Sequence, residues 1–387
     1  MATALHDYTF GIEEEFFLTN PRTRGLVGRV PSALLRSCKR RFGERVEHEM
    51  MQSQVETSTP ICRDPAEARE WLAKLRRGIG EACDEHELTF LAAGTHPLGE
   101  WREQRHTATE RYERLIDDFQ IVGRRNLLCG LHIHVEAPPG SDRVDVMNRL
   151  MHWLPVFLAL SASSPFWHRQ RTGLVSYRQA AYDEWPRTGI PDFFDDEAGY
   201  GAFVDTLVAA GSIRDASMLW WAIRPALKFP TLELRIADSC TRVDDALAIA
   251  MLYRCLVRAT VRNPSLGRAR TSHTRRLIDE NRWRAKRYGY GGGWIDVHSG
   301  RELGFGEALD ELLGLVADDA HELGCAQYLD DARAIVARGS SAEVQLSIYR
   351  DRRDSGGLRV TALRAVVDWL IAATRAGGDG ATAPTIG

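Results

Sequence analysis

Several charged clusters in this chain fall inside segments that otherwise read as apolar β-strands. The clearest is Gly11-Ile12-Glu13-Glu14-Glu15-Phe16-Phe17-Leu18, with Phe10, Ile12, Phe16 and Leu18 at alternate positions. Alternate side chains of a strand share a face, so Glu13 and Glu15 point together, away from that apolar set. Like charges on one strand face repel, and solvent or a divalent cation has to compensate them. Glu14 falls on the apolar side, which the alternation does not explain; a buried ion pair is the first thing to look for there.

Three further strands carry chemistry on the face opposite their hydrophobes. Gln54 to Thr59 presents Gln54, Glu56 and Ser58. Cys129 to Val135 sets Gly130, His132 and His134 against Cys129, Leu131, Ile133 and Val135. Thr231 to Ile236 sets Thr231, Glu233 and Arg235 against Leu232, Leu234 and Ile236. Lined up on one cavity, these faces would combine carboxylates, imidazole and a guanidinium. Hard oxygen donors dominated by glutamate suit Mg²⁺ or Mn²⁺ better than zinc. Such sites leave coordination positions for nucleotide phosphates, and phosphoryl transfer asks little more of a protein than metals and cationic side chains. Taken singly, each motif has an ordinary structural reading. E-x-E is a solvated edge, H-x-H a pair of satisfied histidines, E-x-R a surface ion pair. Their joint occurrence on separate strands is what points to a site. Neither G-x-x-x-x-G-K-[ST] nor a helix-opening G-x-G-x-x-G is present, so a bound nucleotide would be held by another device.

The elements that must position these residues follow from periodicity. Helices are expected over Pro31 to Arg41, over Asp64-Pro65 to about Glu87, over Thr107 to Val122, and from a Ser141 cap to about Ser164. A short strand is expected over Leu88 to Ala93. Gly173 to Asp196 reads as a long loop, and long structureless loops are usually functional. Beyond Ala237 the chain becomes helical: Val243 to Val261, Gly304 to Val316, Asp318 to Arg338, Ala342 to Arg352 and Gly357 to Arg375. Asn281 to Gly293 interrupts that run. Strands followed by helices imply an α+β fold, an antiparallel sheet covered by helices with a helical last third. Residues 1–376 read as one domain, and the Gly/Ala/Thr/Pro-rich 377–387 as a disordered tail. Glu49 lies an odd number of residues before Glu56, so a turn or bulge must intervene if the two are to meet.

Composition narrows the class. A chain of 387 residues with 44% hydrophobic and 27% charged side chains has the proportions of a soluble globular enzyme. A formal charge of −3 provides no basic field for nucleic acid. Seven cysteines without a C-x-x-C pair indicate neither a disulfide framework nor a zinc ribbon, and suit a reducing cytoplasm. Met1 to Asp7 lacks the pattern of a secretory leader, and Trp153 to Trp167, with two prolines, is too short to span a membrane.

Gly11-Ile12-Glu13-Glu14-Glu15, Gln54-Val55-Glu56-Thr57-Ser58-Thr59-Pro60, Gly130-Leu131-His132-Ile133-His134-Val135, Thr231-Leu232-Glu233-Leu234-Arg235 and Glu280-Asn281-Arg282-Trp283-Arg284-Ala285 together resemble the type 2 glutamate-cysteine ligase family, the YbdK-type carboxylate-amine ligases. The likeness runs from about Tyr8 to Ala373. It implies a glutamine-synthetase-like fold, an antiparallel sheet curved into a funnel that binds ATP and two or more divalent metals. It further implies ATP-dependent joining of L-glutamate to L-cysteine through a γ-glutamyl phosphate, with ADP and phosphate released. Carried over by motif, Glu13, His132 and Glu233 would hold one metal beside the ATP phosphates, and Glu15, Glu49 and Glu56 another. Arg235 would face the transferred phosphoryl group or the substrate carboxylate. His134 would support the site, while Tyr177, Arg178, Asn281, Arg284 and Arg287 resemble positions near substrate or nucleotide. Small-molecule substrates and a homodimer are the family expectation, with neither nucleic acid nor membrane as partner. A ligase of glutamate or another carboxylate with a different amine, a metal-dependent amidohydrolase and a non-catalytic nucleotide or metabolite sensor are the alternatives.

Overall fold

The computed structural model describes residues 7–379. Its centre is an antiparallel sheet of seven strands: β1 (Phe10–Thr19), β2 (Val46–His48), β3 (Gln54–Ser58), β4 (Thr89–Leu91), β5 (Gly130–Glu136) and, after a short ribbon of β6 (Phe166–Trp167) and β7 (Gln170–Arg171), β8 (Ile223–Pro225) and β9 (Thr231–Asp238). The strand order is β2-β3-β1-β5-β9-β8, and β4 pairs with the far end of β1. Pro225 sits on the edge strand, where its missing N–H is tolerated. A second ribbon, β10 (Gly293–Ile295) with β11 (Glu302–Gly304), lies outside the main sheet.

One face of this sheet is apolar. Ile12, Leu131, Ile133, Val135, Leu232, Leu234 and Ile236 are all buried in one cluster with the helices Leu154–Ser161 and Val243–Arg262. Both helices are buried nearly all round, as expected of helices sandwiched between a sheet and an outer helical layer. Glu14 points into this apolar side and is paired there. Arg76, on the helix Pro65–Asp84, donates to its carboxylate at 2.5 and 3.1 Å and to the carbonyls of Cys240 and Thr241 at 2.8 Å each. The buried ion pair looked for at Glu14 is present.

Several helix boundaries differ from expectation, each for a local reason. The stretch Thr107 to Val122 is helical over Glu110–Phe119, capped by Thr109, and again over Ile121–Arg124; Gln120, with φ 47°, breaks the helix between them. The helix expected from Ser141 is instead capped by Asp142, whose carboxylate accepts from Val144 and Asp145 at 2.8 Å. It breaks at Met151–Trp153 because Pro155 cannot donate back into the preceding turn. The presumed long loop contains the helix Tyr177–Tyr182. Asn281 is no interruption: it lies inside the helix Ser272–Tyr288, which stops at Gly289 with φ 57°. Phe305–Glu322 runs past the expected break, which falls at Gly324. The last helix, Arg359–Asp379, includes residues 377–379 of the expected tail; 380–387 lie outside the described residues. No helix among the described residues is long and apolar enough to cross a membrane.

Candidate active site

Strand register brings the charged side chains together. Glu13 lies opposite His132 on β5, Glu15 opposite Glu56 on β3, and Glu233 on β9 opposite both His134 and Arg224. Directly opposed residues stand about 5 Å apart at Cβ, so one sheet face collects them. His132 Nδ1 is 3.4 Å from Glu13 Oε2 and His134 Nε2 is 3.6 Å from Glu13 Oε1. His134 Nε2 is also 4.0 Å from Glu233, and His132 Nε2 3.9 Å from Glu15. Glu49 joins because the chain reverses between β2 and β3. Its N–H meets the Gln54 carbonyl at 3.4 Å, its own carboxylate accepts from Met50 N–H at 2.5 Å, and the turn cancels the odd spacing from Glu56.

Three ligand groups result, each with donor atoms within 4.8 Å of one another: Glu13, His134 and Glu233; Glu13, Glu56 and His132; Glu15, Glu49 and Glu56. The last is the trio drawn by resemblance. In the first, His134 stands where the resemblance set His132, and His132 joins Glu13 to Glu56 instead.

The electrostatics divide the cluster in two. Burial, then the neighbouring Glu49, push Glu15 up to about 8, against the pull of Arg178 and of the Gly130 N–H at 2.6 Å. Burial likewise raises Glu49, and burial with Glu13, Glu49 and Glu15 nearby raises Glu56 well above the usual range. At Glu233 burial is outweighed by Arg235 and Arg224, which hold it well below the usual carboxylate range; Arg224 donates at 2.7 Å and Arg235 also donates directly. Burial and Arg235 depress His132 to about 4, so it is a neutral imidazole, and its buried Nε2 has no hydrogen-bond partner. A surplus of hard oxygen donors, like charges left uncompensated and a neutral imidazole with a spare nitrogen fit a hard divalent cation. Strongly perturbed groups gathered in a cleft are also what active sites display.

The other expected residues separate. Arg178 reaches the cavity, its guanidinium held by the Ala237 carbonyl at 3.0 Å. Tyr177 turns away, its ring packed 5.3 Å from Trp167. Asn281, Arg284 and Arg287 are not brought to the cluster. Asn281 exchanges two hydrogen bonds with the Ile295 backbone, Arg284 pairs with Glu280 and Glu302, and Arg287 lies over Tyr288. Their helix docks on the β10–β11 ribbon, which spends these side chains on local structure. Sequence reasoning missed Arg224, Arg111 and Asp238. Arg224 had a usable signal, since it alternates with Ile223 and Pro225 ahead of a strand. Asp238 had none: buried at the end of β9, it accepts from Ser164 Oγ at 2.7 Å, Ser176 Oγ at 2.9 Å and Ser163 N–H at 3.0 Å, fixing the segment that presents Arg178.

The cluster forms the wall of a cavity of about 410 Å³, and Glu13 and Glu56 also border an adjoining chamber of about 530 Å³. The first gathers Arg111, Arg178, Arg224, Lys228 and Arg235 around the carboxylates; the second is bounded by Pro60, Ile61, Phe229 and Pro230.

Residues 9–363 match the family described as glutamate-cysteine ligase family 2. A relative from Ectopseudomonas mendocina named "Putative glutamate--cysteine ligase 2" is 46% identical over 366 residues, 95% of this chain and 97% of the relative. One of the same name from Rhodospirillum rubrum is 44% identical over 371 residues, 95% of each. Among solved structures, glutamate–cysteine ligase from Francisella tularensis in complex with AMP aligns with a TM-score of 0.69 at 11% identity, covering 96% of this chain and 93% of that one. A bifunctional glutathione synthetase from Pasteurella multocida aligns at 0.67 and 15% identity, covering 96% of this chain and 52% of that one. At such identities the likeness establishes the fold alone, an antiparallel sheet covered by helices.

Proposed function

The chain belongs to glutamate-cysteine ligase family 2, and from that premise we propose that it is an ATP-dependent carboxylate–amine ligase acting on L-glutamate. L-Cysteine is the acceptor that its relatives' names indicate. The observation that carries the reading is the convergence of three carboxylate-rich groups, two of them with an imidazole, with Arg235 on one sheet face, at the junction of two chambers.

The chemistry follows from that arrangement. A carboxylate is a poor electrophile until its oxygen becomes part of a good leaving group, and transfer of the ATP γ-phosphoryl to the γ-carboxylate of glutamate accomplishes this. Arg235, aimed into the cavity and anchored by Glu233 and by Tyr182 at 3.3 Å, offsets the charge that develops on the transferred group. Arg178 supplies a second fixed cation for the acidic substrate. Mg²⁺ or Mn²⁺ held by Glu13, His134 and Glu233, by Glu13, His132 and Glu56, and by Glu15, Glu49 and Glu56 would supply neutralisation of the phosphates. No side-chain nucleophile is called on, and all seven cysteines are buried. Residues 1–376 act as one catalytic unit, in a homodimeric protein of the cytoplasm.

The test is ADP release from Mg-ATP and L-glutamate with and without amine. The ligase reading requires release that amine stimulates, with a γ-glutamyl amide formed in equal amount. Amide hydrolysis without ATP would support the hydrolase instead, and nucleotide binding without turnover the sensor. Among the described residues the cluster offers only His132 and His134 to a metal, fewer imidazoles than zinc hydrolase sites use.

A further inference from the structure

The larger question left by the ligase reading is the amine, and the cavity has two unlike halves that bear on it. One half is the carboxylate and arginine face of the sheet. The other is a wall formed by Met50, Tyr112, Leu115, Leu128, Trp185 and Trp220, contributed by five separate segments. All six belong to one continuous apolar cluster. Tyr112 and Leu115 are three apart on a helix and therefore face the same way. The helix ends in Phe119, whose ring packs 4.9 Å from Trp185 and 5.6 Å from Trp220, and the two indoles lie 5.1 Å apart. The tryptophans are thus held from behind as a firm surface. The wall begins at the carboxylates themselves: Met50 follows Glu49, and Tyr112 hydroxyl donates to the His48 carbonyl at 3.4 Å. Arg111, Asn126 and Ser217 are its polar interruptions.

We propose that this wall receives the side chain of the acceptor, and that the acceptor class is an amine or amino acid with an apolar or aromatic side chain larger than that of cysteine. The inference rests on the ligase reading. An acidic substrate and the transferred phosphoryl group belong to the half that holds Arg178, Arg224 and Arg235. The adjoining chamber, which opens on the same Glu13 and Glu56, gives a nucleotide its own approach. What remains beside the reacting centre is mostly apolar, broken by Arg111, Asn126 and Ser217. A thiol would leave most of it uncovered, whereas each further methylene placed on it strengthens binding by about fourfold. A serine hydroxyl would be desolvated against that wall with few polar side chains to partner it. In the step itself the neutral amine forms the C–N bond to the γ-carbonyl carbon as the C–O bond to phosphate breaks. Orthophosphate leaves with the electron pair; of the two protons shed by the ammonium, one ends on phosphate and one in solvent.

The experiment uses the full chain with Mg-ATP and L-glutamate, and compares L-serine, L-cysteine, L-2-aminobutyrate, L-leucine, L-phenylalanine and phenethylamine by γ-glutamyl product mass and ADP release. The expected order of kcat/KM rises with apolar size, the best apolar acceptor exceeding serine by at least about a hundredfold and cysteine by about tenfold. Leu115→Ser and Trp220→Ser raise KM for that acceptor about tenfold while KM for ATP stays within about twofold, and Trp220→Phe restores it. Cysteine preferred over every apolar amine would overturn the inference and leave the ligase reading standing. So would wall variants that raise KM for ATP in place of the amine, which would make the wall a nucleotide-base site. No amine-stimulated ADP release with any acceptor would overturn both.

Discussion

Strand β1 carries carboxylates on both of its faces, and the two faces treat them in opposite ways. Glu14 and Arg76 are both within 1% of complete burial, and Arg76 donates to both carboxylate oxygens and to two carbonyls. Every charge there is answered from within the chain. One residue to either side, Glu13 and Glu15 face Glu49, Glu56 and two imidazoles, and the nearby arginines leave the group short of positive charge. Burial of an acid is therefore no signature of function. The signature is burial with the compensation withheld, which keeps affinity in reserve for a cation and its phosphates.

Breaking each face should give different losses. Arg76→Met strands the Glu14 carboxylate in the core and should cost about 3–5 kcal/mol of stability in urea unfolding, with turnover per folded molecule preserved. Adding Glu14→Leu to that variant should recover most of the loss, because the desolvated charge goes with its partner. Glu13→Gln should do the reverse, lowering amine-stimulated ADP release by about 10²- to 10³-fold with unfolding midpoint unchanged or raised. If Glu13→Gln destabilised the protein as Arg76→Met does, the distinction between the faces would fail.

A smaller effect comes from pH. The folded-state value of Glu15, about 8, lies above that of an unfolded carboxylate, so the folded chain binds more protons. Its contribution to stability is present at acid pH and lost as pH rises from the ordinary carboxylate range through about 8. In EDTA the melting temperature should fall across that window; Mg²⁺ should flatten the fall, and Glu15→Gln should remove Glu15's share of it. The smallest change is expected at Arg287, which lies over Tyr288 and not at the cavity: Arg287→Ala should alter kcat/KM by less than about twofold.

Period-two alternation made the polar faces of β1, β3, β5 and β9 legible before any coordinate, since a strand leaves its side chains no other choice. The α+β class was legible from the same segregation of strands and helices. Helix ends were less so, because a left-handed Gln120 or an Asp142 that outcompetes Ser141 is decided by one local hydrogen bond or dihedral. Short motifs outside the sheet were the least legible. Asn281, Arg284 and Arg287 sit in a suggestive stretch, but their helix packs on the β10–β11 ribbon.

The sequence by itself determined which faces of which strands are charged, that Glu14 needed a partner, and that hard-cation chemistry was the reading to test. Only the tertiary structure decided that Arg76 is that partner, that Glu49 reaches Glu56, and that His134 stands with Glu233 while His132 turns to Glu56. Periodicity is a property of neighbours along the chain and is written in the residues. Register, turns and the meeting of segments 60 or more positions apart are set by packing, which no local spacing records.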